Sequence, residues 1–447
     1  MILNSTRGSA DETSYWRYVA DIVINMNYQS DSEYFTREIE IEKARYQPHV
    51  WGKHQLKFVE PFTEHREHER DREENLYKIS RKRYHPYRDR GGIFIYPSIH
   101  YYLSEYKRKS PTEITGRYSS SLQDQLDPFL KSLSEDEIKK LNTAIRNNDP
   151  TEPLWGSDKA GFPRGRCTGF IGMRGGHKSH LGYLSILSKI IRPESNERAL
   201  IVSLRDDEDM AEKTLERILA NETDYKGRFI DLKEQDKIEI LYFPPGYVTP
   251  EEFFHRVFMS IQRLKAYPGN PNVIMLFNSL DQLSSRFPLC AAQQIFIPGL
   301  IATLRAENIT SFFIAVEEPG QPPEHYGLLS MADALITFAR EKIKKDQYLG
   351  HLEYSLGSKK GSITSDKISD ISETQHIVAL RIVRFSGGRA AGDGGLLELI
   401  HPDDPKADLY KDRLKNENKS LKTGLVFIPF SPSYEEGECL VRDWAIK

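Results

Sequence analysis

Residues 166–338 alternate between two kinds of segment, and no other feature constrains the fold as much. Short, continuously apolar runs read as strands: CTGFIG (167–172), RALIVSL (198–204), KIEILYF (237–243), NVIMLFNS (272–279), ITSFFIAVEE (309–318) and ADALITF (332–338). Between them lie segments with helical periodicity. KSHLGYLSILSKIIR (178–192) sets Leu181, Leu184, Leu187 and Ile191 on one stripe, and DMAEKTLERILANE (209–222) is amphipathic. TPEEFFHRVFMSIQRLKAY (249–267) opens with Thr249 as N-cap and Pro250 in the first turn. AAQQIFIPGLIATLRAEN (291–308) reads as one further helix. Strands that are apolar on both faces and joined by helices predict an α/β fold, with a mostly parallel sheet covered by helices.

The first strand runs into GFIGMRGGHKSHLGY (169–183). A phosphate-binding loop has glycine, four residues, glycine, lysine, then serine or threonine. Here Gly172 is followed by Met173, Arg174, Gly175 and Gly176, then His177, Lys178 and Ser179, so histidine replaces the second glycine. In such loops backbone N–H groups cradle phosphates and the lysine neutralises charge. The expected nucleotide-binding set is therefore Gly172, Gly175, Gly176, His177, Lys178 and Ser179, joined by Asn278 at the end of the strand 272–278, with Ser179 as a Mg²⁺ ligand and ATP or ADP as cofactor. His177 still supplies an N–H, but it places a side chain where glycine alone tolerates every backbone shape.

The formal net charge of -3 gives no global electrostatic case for nucleic acid. Cys167, Cys290 and Cys439 are the three cysteines, far apart and odd in number, which argues against a disulfide framework and for a reducing, cytoplasmic setting. No apolar run approaches the roughly 20 residues needed to span a bilayer. MILNSTRGSADETSYW lacks the basic start and apolar core of a signal peptide.

Outside the alternating region, KRKSPTEITGRYSSSLQDQ reads as a polar linker, and SEDEIKKLNTAIRNN as a short helix with a capping box from Ser134 to Glu137. Residues 64–90 are dense in charge and histidine, without zinc-ligand spacing, and read as a solvated excursion. A repeat also emerges. YVADIVINM (18–26) resembles SMADALITF (330–338), with Ala20 on Ala332 and Asp21 on Asp333, and at the same offset MILNST falls on FIAVEE. TREIEIEKARYQPHVWGKHQLKF resembles IVALRIVRFSGGRAAGDGGLLEL, and GGIFIYPS resembles TGLVFIPF, with Pro97 on Pro429. Three blocks in one order mark a repeated structural unit. The expected organisation is 1–106, the late strands and β tail of a first unit; 107–160, a linker with a short helix; 161–340, the domain with the glycine-rich loop; and 341–447, the β-rich tail of the second unit. The first copy begins at its late strands, so a second polypeptide that completes it, or a longer parent chain, is expected.

The strand and degenerate loop, together with ALIVSLRDDED, VIMLFNSLDQL and the duplicated tails, resemble a KaiC-like ATPase domain of the RecA superfamily. That resemblance implies a RecA-like P-loop core with β-rich tails, nucleotide at subunit interfaces, self-association into a ring, and signalling or timing roles. Departures from it touch three chemical roles. The family's adjacent glutamates after the second strand are replaced by Leu204, Arg205, Asp206 and Asp207. Arginine is no base at neutral pH. Asp206 or Asp207 is the remaining catalytic candidate, and either is also an N-cap candidate. The strand that should end in a Mg²⁺-associated aspartate ends in Asn278, whose amide carries no charge; Asp281, three residues on, reads as the cap of the next turn. Lys43 and Arg45, with His49 following, match a pattern that in the family reaches a neighbour's phosphates, where the second copy has Arg384, Phe385 and Ser386. On a sheet face such cations can equally be solvated. The expectation is an oligomeric scaffold or signalling component that binds nucleotide weakly, with little or no ATP hydrolysis. The alternatives are an active ATPase with rearranged residues and a RecA-type ATPase acting on DNA; SSRFPLCAAQQ, with one arginine, gives the latter little support.

Overall fold

The computed structural model describes residues 18–31, 34–50, 52–59, 92–106, 162, 164–191, 195–222, 227–246, 248–317, 326–347, 349, 374–385, 395–400 and 424–429. The expected helix at 134–148 and the charged run at 64–90 lie outside them. Along the chain stand β1 (Ile22–Asp31), β2 (Tyr34–Ala44), β3 (His54–Val59), β4 (Gly92–Tyr96), α1 (Ile99–Tyr106), β5 (Cys167–Gly172), α2 (Lys178–Ile190), β6 (Glu197–Ser203), α3 (Glu208–Glu222), α4 (Phe229–Glu234) and β7 (Ile238–Tyr242). Then come α5 (Pro250–Lys265), β8 (Asn272–Asn278), α6 (Gln282–Arg286), α7 (Pro288–Ala292), α8 (Phe296–Ala306), β9 (Thr310–Val316), α9 (Leu328–Met331), β10 (Ala334–Lys344), β11 (Thr374–Phe385), β12 (Gly395–Ile400) and β13 (Gly424–Pro429). The chain divides into two compact units.

The larger unit, residues 111–244, 260–286 and 304–447, holds one sheet in the order β13-β12-β11-β10-β5-β9-β8-β6-β7. From β10 to β7 every neighbouring pair is parallel, and β11 to β13 extend the β10 edge as an antiparallel meander. The expected α/β class with a mostly parallel sheet is therefore observed. Every residue of β5 is buried, and β6, β8 and β9 are buried almost throughout. α2 covers the sheet with Tyr183, Ile186, Leu187 and Ile190, which join Phe170, Ile201, Leu276, Ile314 and Phe338 in a single cluster. Each such side chain contributes about 1.5–3 kcal/mol on leaving water.

The smaller unit comprises residues 1–110, 245–259 and 287–303. Its sheet is an antiparallel meander, β1-β2-β3-β4. The face carrying Gln55, Lys57 and Tyr96 meets the first turns of α5: Lys57 Nζ donates to Glu252 Oε2 at 2.9 Å, Thr249 bonds Gln55, and Tyr96 stands edge-on to His255. Thr249 caps α5 as expected, its Oγ1 accepting the Glu252 N–H at 3.3 Å. One expectation needs correction. The single helix over 291–308 is two, α7 and α8, separated at Gln293, which has extended backbone (φ -86, ψ 101). Pro298 is the cause: it has no N–H and its ring clashes with the carbonyl of residue 294, so it is tolerated only in the first turn of a new helix.

The two meanders are copies. Ile22 of β1 occupies the place of Ala334 in β10. Each first pairing carries a register shift at the corresponding step, between Val23 and Ile24 in one and Leu335 and Ile336 in the other. Lys43 lies opposite Val23, as Arg384 lies opposite Leu335. Val59 pairs with Gly92, as Ile400 pairs with Gly424. A bulge re-aims and twists a strand at a defined step, and its recurrence at one position of the repeat extends the sequence similarity to backbone geometry.

Candidate functional site

The glycine-rich loop joins the end of β5 to α2. The chain crosses from β5 through α2 to β6 on one side, while β10 lies on the other, so β5 stands where the strand order reverses. In open α/β sheets ligands bind beyond the carboxyl ends of strands at such a point. Gly172 has φ 148, and a Cβ there would stand 2.0 Å from the Phe338 carbonyl oxygen, so only glycine fits. The same carbonyl accepts the Met173 N–H at 3.3 Å. Gly175 has φ 75, and a Cβ there would meet an Arg340 guanidinium nitrogen at 2.8 Å. His177 is left-handed too (φ 57, ψ 15) and stands at the N-cap of α2 without a side-chain capping bond. Histidine thus occupies a conformation that suits glycine and costs other residues roughly 1–2 kcal/mol. The His177 and His180 rings stand edge to face with centroids 6.4 Å apart. Burial, then His180, then Arg340 hold the His177 imidazole below the ordinary histidine range.

Lys178 is only 5% exposed. Its ammonium donates to the Gly172 carbonyl at 2.8 Å and the Met173 carbonyl at 2.6 Å. Burial brings its pKa down to about 8, with Asp281 opposing the shift and Arg205 adding to it. The first intrahelical bond of α2 runs from the Leu181 N–H to the His177 carbonyl at 2.9 Å. The N–H groups of Lys178 and Ser179 precede it, at the end of the helix where backbone donors point outward along the axis. Backbone donors, a buried ammonium and the helix dipole stand together at the start of α2, an arrangement suited to an anion.

The ends of the neighbouring strands complete the site. Ser179 Oγ donates to Asn278 Oδ1 at 3.1 Å, and Asn278 Nδ2 donates to the Tyr183 hydroxyl at 3.0 Å. Tyr183 is pushed up to about 12, mainly by burial. Arg205 is largely exposed and lies 3.5 Å from the Asp206 carboxylate. Asp207 Oδ1 accepts the Met210 N–H at 2.8 Å, so Asp207 caps α3. Asp281 does not cap the turn that follows it, contrary to expectation. The N–H groups of Gln282 and Leu283 go to the Ser279 and Leu280 carbonyls. Its Oδ2 accepts from the Gln282 side chain at 2.6 Å, and its buried Oδ1 accepts nothing.

Lys43 and Arg45 belong to the other unit. Both donate to the Tyr18 carbonyl, at 2.9 and 3.0 Å, and Arg45 lies 3.8 Å from Asp21. His49 is half-buried beyond the end of β2. Sequence reasoning missed Tyr183, although it lies one helical turn beyond Ser179, and Arg340, whose strand gives no such signal. Ser179 and Asn278 offer a metal only neutral oxygens, and among the described residues no three His, Cys, Asp or Glu side chains are grouped to hold one. A Mg²⁺ here would depend on oxygens carried by a bound phosphate. Cys167 and Cys290 are buried. Among the described residues no helix is long and apolar enough to cross a membrane. No protein-family model matches the chain, and no curated protein matches it as a relative.

Proposed function

We propose that the loop between β5 and α2 is a degenerate P-loop that binds ATP or ADP through its phosphates. The domain is read as KaiC-like, of RecA type, hydrolysing nucleotide very slowly or not at all and working as an oligomeric scaffold or signalling component. The observation that carries this reading is Lys178: a buried ammonium held on two carbonyls of a glycine-rich turn, at the reversal point of a parallel sheet. A lysine is costly to bury without a purpose for its charge, and displacing its contacts with the two carbonyls by phosphate oxygens restores a stronger, charge-assisted pairing. Weak hydrolysis is supported by the surroundings. Phosphoryl transfer needs a positioned water and stabilised charge. Arg205 cannot accept a proton, Asp207 is engaged as a helix cap, and Asn278 is neutral.

The test is titration with a fluorescent ADP analogue beside a phosphate-release assay. Saturable binding, weakened at least tenfold in Lys178→Ala, is expected, with release far below about 1 per second. Absence of saturable binding overturns the nucleotide reading. Release at about 1 per second or faster, abolished by Lys178→Ala, restores the active-ATPase alternative.

A further inference from the structure

Two arginines flank the glycine-rich loop, one from each side of β5 in the sheet order. Arg340 lies just beyond Phe338, the β10 partner of Gly172, so it runs alongside the loop. Its backbone N–H meets Met173 Sδ at 3.0 Å, and a Cβ on Gly175 would come within 2.8 Å of its guanidinium. Arg205 comes from the β6 side. The Leu204 N–H donates to the Asn278 carbonyl at 2.8 Å, which carries the chain past β6 beside the end of β8. Arg286 of α6 fixes this turn by donating to the Leu204 and Arg205 carbonyls, both at 2.9 Å. The Arg205 and Arg340 side chains are exposed. The pairing of Arg205 with Asp206 at 3.5 Å is of the solvated kind that contributes little. Both charges reach the loop. After burial, and against Asp281, Arg205 adds to the lowering of Lys178; after burial and His180, Arg340 adds to that of His177.

Negative charge is scarce at the same place. Protein sites hold Mg²⁺ through one or two carboxylates together with phosphate oxygens. Ser179 and Asn278 are neutral, and Asn278 Oδ1 already accepts from Ser179 Oγ. Asp206 faces Arg205, and Asp207 caps α3. Asp281 keeps a buried Oδ1 that accepts nothing, but its charge already supports the Lys178 ammonium. This donor set fits Mg²⁺ poorly. Arg205 and Asn278 act in one direction, since neither offers a negative charge to a metal.

We propose that the site takes a nucleoside diphosphate or triphosphate without a metal ion, and that Arg205 and Arg340, on either side of Lys178, neutralise the phosphate charge that Mg²⁺ would otherwise carry. The proposal rests on the reading of the loop as a phosphate site and concerns how that site is charged. A guanidinium stays protonated and pairs with phosphate oxygens through two parallel N–H bonds. Exposed side chains anchored beside the loop are free to close on phosphates held at Lys178.

The test titrates the full chain with a fluorescent ADP analogue, once in excess EDTA and once in excess Mg²⁺. The two affinities should agree within twofold. In EDTA, Arg205→Gln and Arg340→Gln should each weaken binding at least tenfold, as expected for loss of a charge-assisted contact. Both positions are exposed, so the variants should keep the wild-type circular dichroism and melting temperature. Added salt should weaken the wild type more than either variant. Binding that requires Mg²⁺ overturns the proposal and leaves the phosphate reading in place; loss of that requirement in Asp281→Asn would make Asp281 the metal's carboxylate. Unchanged affinity in both arginine variants also overturns the proposal. Absence of saturable binding in either buffer overturns the phosphate reading and this proposal with it.

Discussion

Ser179 Oγ donates to Asn278 Oδ1 at 3.1 Å, which ties the first turn of α2 to the end of β8. The Asn278 side chain is 1% exposed, and its Nδ2 donates to the Tyr183 hydroxyl at 3.0 Å. Three residues from two elements thus form a chain in which each buried polar atom depends on the next. Tyr183→Phe keeps the packing and strands the amide donor. A buried donor without a partner costs about 1–3 kcal/mol. Urea unfolding should show that loss as a lower midpoint with an unchanged slope. An unchanged midpoint would mean that the amide finds another acceptor.

Asn278→Asp tests the missing charge at the same place. The Tyr183 hydroxyl can reverse and donate to a carboxylate, and Ser179 already donates to that position, so the network survives. The cost is a buried negative charge, since residue 278 is 1% exposed. Stability should fall in metal-free buffer, and Mg²⁺ with ADP should recover it, because a carboxylate is the ligand this site lacks. Nucleotide affinity should become Mg²⁺-dependent by about tenfold, equivalent to ~1.4 kcal/mol. A Mg²⁺-independent affinity in the variant would show that Asn278 does not face the metal position.

The strands of the larger unit were legible because each is a continuous apolar run, and a strand covered on both faces has no other pattern open to it. The helix over 291–308 was misread because periodicity outweighed Pro298, whose effect falls four residues upstream of its own position. The loop glycines were visible as a motif, and their necessity appeared only with Phe338, whose carbonyl fills the space beside Gly172. No local signal places residues 172 and 338 together, because strand order is a tertiary property. Asp281 was misassigned for a related reason. Its proximity to a turn suggested a cap, while backbone carbonyls at Ser279 and Leu280 had already taken the donors. The repeat was readable as sequence, and the bulge that proves its geometry was not.

Lys178 sets a pH dependence for phosphate binding. Its pKa is about 8 in the free protein because burial disfavours the charged form. A bound phosphate favours the ammonium, so the pKa rises on binding and the complex takes up a proton at pH values above about 8. Affinity should be flat on approaching pH 8 from pH 7 and should fall by up to tenfold per unit above it. His177 is held below the ordinary histidine range, so it adds little charge in this window. Lys178→Met should bind more weakly with no loss of affinity between pH 8 and pH 9.5. A wild-type profile equally flat to pH 9.5 would show that Lys178 stays clear of the phosphate.

The last prediction separates the backbone of His177 from its ring. The residue is left-handed at φ 57 and ψ 15, a conformation that costs a residue with a Cβ roughly 1–2 kcal/mol. His177→Gly removes that cost, partly offset by the greater freedom glycine has in the unfolded chain. The net gain should approach ~1 kcal/mol, or about 2–4 °C in Tm for a domain of this size. His177→Ala keeps the Cβ and therefore the cost, so its Tm should not rise. The pair of variants distinguishes backbone relief from removal of the imidazole beside His180. Nucleotide affinity gives a second readout. If the imidazole crowds the phosphate position, His177→Gly and His177→Ala both bind ADP more tightly, while only the glycine variant is stabilised. A fall in affinity in both would make the His177 ring a phosphate ligand, and the histidine would then be the feature that adapts this loop to its anion.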